Sequence, residues 1–168
     1  MIPYGGYQLG YVQTDPNVEY RFKGPFYGMA FGRKLSSLGV ALNYERASFI
    51  LTQTSPDYYF SSDKINQSIH SVMFGPRCDL LFTKMIFSFN YFWKVKWNVV
   101  DGADSGSSYQ GKGYGIGVGY KKYSHLAFHL EYRNIEMTTF TDSQNLETDL
   151  AANKLTVVQY LFLISLPF

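Results

Sequence analysis

The chain has 168 residues, enough for one domain with a full core and too few for two independent ones. Charged residues make up 17% of it, against about 25% in soluble domains, while aromatic residues reach 18%. This aromatic content excludes disorder, and a net charge of +2 excludes a strongly basic nucleic-acid binder.

The longest runs without a charged side chain, Met1 to Thr14 and Leu155 to Phe168, are shorter than the roughly 20 apolar residues of a spanning helix. Met1-Ile2-Pro3-Tyr4 has neither the basic nor the apolar region of a secretory signal, so the chain is either not exported or a mature form, and the second is the reading adopted. Cys78 is the single cysteine, which excludes an intramolecular disulfide, a cysteine metal cluster and a redox pair.

Hydrophobicity alternates with period two, and helical spacing is nowhere sustained, so the class is all-β. In chain order, Tyr7, Leu9 and Tyr11 alternate with Gln8, Gly10 and Val12, and Tyr27, Met29 and Phe31 with Gly28, Ala30 and Gly32. Leu38, Val40, Leu42 and Tyr44 then alternate with Gly39, Ala41, Asn43 and Glu45. Asn66 to Arg77 follows, with His70, Val72 and Phe74 sharing a face with Pro76. Next come Met85, Phe87, Phe89, Tyr91, Trp93 and Val95 against Ile86, Ser88, Asn90, Phe92, Lys94 and Lys96. Gly113 to Tyr120 places a glycine at every second position, and Leu126, Phe128, Leu130 and Tyr132 oppose Ala127, His129, Glu131 and Arg133. Lys154 to Phe168 is the eighth strand.

Short joins are predicted at 34–37, 78–82 and 121–124, and long joins rich in Asp, Ser, Gly and Asn at 14–24, 51–65, 97–112 and 134–153. Antiparallel strands with short joins at one end and long ones at the other form an up-and-down meander, which removes its edges by closing into a barrel. The expected fold is an eight-stranded antiparallel up-and-down barrel, one domain over 1–168.

Composition decides which face is outside. With the aromatics inward, Gly28, Ala30, Gly32, Gly39, Ala41, Gly115, Gly117 and Gly119 would cover the exterior, too bare of charge for a soluble lipocalin-type barrel. With them outward, a narrow lumen receives small residues and a few ionisable ones, and the exterior needs lipid. Tyr and Trp would form belts at the two interfaces.

These features resemble the small eight-stranded outer-membrane barrels of Gram-negative bacteria, the OmpA transmembrane-domain and OmpX class. The resemblance covers the whole chain. Its most specific element is the end, where Tyr160, Phe162, Ile164, Leu166 and Phe168 resemble the family's assembly signal, a terminal aromatic preceded by apolar residues at every second position. Pro167 departs from that pattern and removes a ladder donor. The resemblance implies a bacterial outer-membrane location, short periplasmic turns, four long extracellular loops, and contact with membrane lipid, lipopolysaccharide and the barrel-assembly machinery. Some members of that class are enzymes acting on lipid A, but this chain is expected to be a porin-like, non-enzymatic monomer that acts structurally or through its loops, with no cofactor and no nucleic acid.

The expected lumen residues are Glu45, Asn90, Lys94, Lys96, His129, Glu131 and Arg133, with Arg77 near the periplasmic end. Charges confined there must pair, so Glu45 and Glu131 are expected against Arg133 and Lys94. The plain reading is a plug that registers the barrel, and the functional one is a small gated pore. Lipid A deacylation would need a serine, histidine and carboxylate together at the outer interface. Ser68 and His70 share a face, with Glu45 or Asp63 as the acid, but their order reverses that family's histidine-before-serine signature. Asp101 to Gly106 lacks the closing glutamate of a calcium loop and reads as a hairpin tip. Arg21, Lys23 and Lys64 are candidates for lipopolysaccharide phosphates, and Tyr58, Tyr59 and Phe60 for an exposed adhesive patch.

Overall fold

In the computed structural model, residues 2–15, 18–35, 38–54, 62–76, 79–80, 83–102, 105–123, 126–150 and 155–165 are described. Eight long strands build the wall: β1 (Ile2–Asp15), β2 (Val18–Leu35), β3 (Leu38–Thr54), β4 (Ser62–Pro76), β6 (Thr83–Asp101), β7 (Ser108–Tyr123), β8 (Leu126–Thr141) and β10 (Leu155–Ser165). Two short pieces, β5 (Asp79–Leu80) and β9 (Glu147–Asp149), pair with β6 and β8. Every wall strand pairs antiparallel with its sequence neighbour, and β10 pairs with both β1 and β8. The sheet is therefore a closed eight-stranded up-and-down barrel without the open edge of a flat sheet. No described helix is long and apolar enough to cross a membrane.

The strands extend further than their predicted ends. The predicted long join over 14–24 is mostly strand, because β1 runs to Asp15 and β2 begins at Val18. Glu19, Arg21 and Lys23 resemble loop residues in composition, yet they alternate with Val18, Tyr20 and Phe22, and period two wins. The join at 97–112 contracts likewise, with β6 reaching Asp101 and β7 starting at Ser108. Its turn uses positive φ at Gly102 (116°) and Gly106 (91°), a backbone conformation that favours glycine.

Joins 36–37, 77–82 and 124–125 mark the turn end of the barrel, and the opposite end is the loop end. Face composition reverses between the two. Toward the turn end of β2, Tyr27, Met29 and Phe31 are exposed while Gly28 and Ala30 are buried; toward its loop end, Arg21 and Lys23 are exposed while Phe22 and Phe26 are buried. On β8, Leu130 points out at 58% exposure, whereas Ile135 and Met137 are fully buried.

The loop-end half of the lumen is consequently packed mainly with apolar side chains, not the set of small and ionisable residues expected there. Phe22 stacks on Phe49 with ring centroids 4.3 Å apart, and both meet Trp97 edge-on at 5.7 and 5.3 Å. Ile65, Ile69, Val95 and Val157 complete the packing. The expectation assigned one composition to each face over the full strand, but these strands are long enough to carry a lipid-type pattern at one end and a soluble-barrel pattern at the other.

Candidate functional site: an ion network across the lumen

Glu45 on β3 and Arg133 on β8 stand on opposite walls, since three strands separate β3 from β8 in either direction around the barrel. Alternation points both inward, where Glu45 is 1% and Arg133 2% exposed. The guanidinium donates from both terminal nitrogens to the two Glu45 oxygens, at 2.7 and 2.8 Å, and from Nε to Glu131 Oε1 at 2.8 Å. The Asn90 amide donates to that same Glu131 oxygen at 2.8 Å. Fork-to-fork geometry makes the Arg133–Glu45 pair directional as well as charge-assisted.

Aromatic rings enclose the cation. The guanidinium carbon lies 5.0 Å from the centroid of the Phe92 ring and 5.9 Å from that of Phe26, within cation–π range. Tyr4, which sequence reasoning did not place, lies over Gly28, and its hydroxyl reaches Glu45. Its parity with Gln8 on β1 is the signal that could have located it.

The glycine alternation of β7 supplies the room. A Cβ on Gly115 would lie 2.8 Å from Glu131 Oε1 and 3.1 Å from Phe92 Cζ, and one on Gly119 would lie 2.3 Å from His129 Nδ1. The bare wall of β7 thus admits the carboxylate, ring and imidazole that its neighbours project.

Loopward of the ions lies a polar layer that sequence reasoning also missed. Gln67 Oε1 accepts from Trp97 Nε1 at 2.8 Å and from Gln159 Nε2 at 2.7 Å, the latter bond again crossing the lumen. Gln8, fully buried, has no hydrogen-bond partner for either side-chain atom among the described residues. Alternation alone cannot reveal these contacts, because they depend on which opposing strands meet at one height.

Of the other expected lumen residues, Asn90 and His129 are inside, and His129 Nε2 lies 3.0 Å from Ser165 Oγ near the turn end. Lys94 and Lys96 are not inside. A bulge makes Trp93 an extra residue: β4 pairs His70 with Lys94 but Ser71 with Phe92, and β7 pairs Gly113 with Phe92 but Gly111 with Val95. Trp93 and Lys94 are both exposed, and beyond them Val95, Trp97 and Val99 turn inward while Lys96 turns out. One inserted residue reverses the facing of everything after it. The expected Glu–Lys94 pairing is therefore replaced by the single base Arg133.

Arg77 lies outside the described residues, as do Leu166 and Phe168 of the terminal motif; Tyr160, Phe162 and Ile164 all point outward. Ser68 and His70 are also on the exterior, so Glu45 inside the wall cannot serve them as an acid. The side chain of Asp63 and the Tyr58 to Phe60 segment lie outside what is described. Arg21 forms an exposed ion pair with Glu19 at 2.6 Å. No metal-binding cluster of His, Cys, Asp and Glu occurs among the described residues. The chain matches no protein-family model and no curated protein by sequence.

Proposed function

We propose that the chain is a non-enzymatic β-barrel of a bacterial outer membrane, a monomer acting as a structural or surface-interaction protein through the joins at its loop end. One observation carries this reading: the turn-end half exposes a broad apolar exterior, while the buried charges Glu45, Glu131 and Arg133 pair with one another inside the wall. Leu42, Phe89, Ile116, Leu130 and Phe162 stand between 44% and 58% exposed on five different strands. So large an apolar surface requires a partner, and on a barrel it suits acyl chains. Above it, Arg46, Ser48, Lys94, Lys112 and Asn66 give an exterior suited to water and head groups.

The packing of Trp97, Phe22 and Phe49 supports a plug over a channel, and the separation of Glu45 from His70 counts against a lipid A hydrolase. In this role the outward alternation of Tyr160, Phe162 and Ile164 is the surface offered to the assembly machinery, and lipopolysaccharide is the lipid neighbour at the loop end. The test is refolding of the purified chain. A monomeric, protease-resistant β-fold is expected in detergent micelles or bilayers and not in plain buffer; a dispersed native fold in buffer alone overturns the proposal. Single-channel steps in planar bilayers would favour a pore, and fatty-acid release from lipid A would favour an enzyme.

A further inference from the structure

We infer that the exterior patch of Arg46, Ser68, His70, Lys94 and Lys96 binds the phosphate-bearing head group of an anionic membrane lipid. The inference rests on the membrane reading above. The patch occupies three adjacent strands in register: Arg46 faces Ser68, which faces Lys96, and Tyr44 faces His70, which faces Lys94. At about 4.8 Å per strand, the Arg46 and Lys96 backbones lie roughly 10 Å apart on either side of Ser68, a span suited to a head group.

The charge in this patch is not neutralised by any described carboxylate. Among the described residues no carboxylate forms an ion pair with Arg46, Lys94 or Lys96, and the sequence-adjacent Glu45 is held inside by Arg133. Arg46 is pre-positioned, donating from Nε to the Tyr44 hydroxyl with its guanidinium 5.5 Å from the Tyr44 ring centroid. The bulge at Trp93 contributes the rest: regular alternation would turn Lys94 and Lys96 into the lumen, and the extra residue aims both outward.

Height selects the ligand. Tyr44, His70 and Trp93 form a chain of ring contacts, with centroids 4.9 and 6.5 Å apart, at the upper margin of the apolar exterior. Aromatic belts mark the boundary between hydrocarbon and head groups. Arg46 and Lys96 sit two to three residues loopward of Tyr44 and Trp93, about 7–10 Å along the strands, where lipid phosphates lie.

The full chain in neutral detergent micelles should retain bisphosphorylated lipid A in native mass spectrometry. Retention should fall about tenfold in the K94Q/K96Q variant and stay within about twofold in K121Q, which removes a lysine charge at the turn end of β7, away from the patch. Equal loss in both variants, equal retention of dephosphorylated lipid A, or equally tight binding of inorganic phosphate alone would overturn the site. A barrel that folds in micelles yet retains no lipid refutes this inference alone, whereas a native fold in plain buffer refutes the membrane reading beneath it.

Discussion

Arg133 and Glu45 are separated by 88 positions in sequence and by the full width of the barrel, yet they meet through two parallel hydrogen bonds of 2.7 and 2.8 Å. The pair ties opposite walls together where the lumen changes from glycine-lined to apolar. Two carboxylates share one guanidinium, so Arg133 is the residue on which the network depends.

Replacing Arg133 with Met leaves Glu45 and Glu131 buried without a counter-ion. The expected loss is about 3–5 kcal/mol in urea unfolding from micelles, and the added substitutions E45Q and E131Q should recover much of it. A loss below about 1 kcal/mol for the single variant would show that the network bears little of the fold's stability.

Gln8 presents the opposite case, a buried amide without a hydrogen-bond partner among the described residues. Because an unsatisfied buried polar group costs about 1–3 kcal/mol, Gln8→Met should raise stability on that order. A lower urea midpoint for the variant would contradict this account of the Gln8 site.

Gly115 is required for space. The Cβ of Gly115→Ala would press on Glu131 and Phe92, with an expected cost of about 1–3 kcal/mol from overpacking. Combining it with Phe92→Leu should lessen the cost if the clash is the cause, and denaturant titration of the two variants decides.

The two tryptophans report orientation directly. Trp93 is 45% exposed on the exterior and Trp97 is 2% exposed in the lumen. In bilayers with brominated acyl chains, the W97F variant should be strongly quenched through Trp93, and W93F should be nearly unquenched. The reverse pattern would place the wall inside out.

Leu130 lies within the apolar exterior. Leu130→Arg should destabilise the bilayer-inserted fold by about 2–4 kcal/mol, as a charge does on the lipid face of a barrel, whereas Ser48→Arg above the belt should change it by less than about 1 kcal/mol. Equal effects in bilayer refolding titrations would remove the distinction between the two halves.

Much of the fold was legible in the chain alone. Alternation is a local property, so runs such as Leu126 to Arg133 and Gly113 to Tyr120 disclose strands and their inward set, including Glu131 and Arg133. Alternating join lengths suffice for the order of the strands, because antiparallel neighbours need no other information. Tertiary structure alone decided three things. It extended β2 through Glu19 to Lys23, where composition and periodicity conflict. It turned Lys94 and Lys96 outward through the bulge at Trp93, which cross-strand pairing on both sides must accommodate. It also brought Gln67 to Gln159 and Arg133 to Glu45, since contacts across a cylinder depend on strand stagger and closure, which no short stretch of sequence contains.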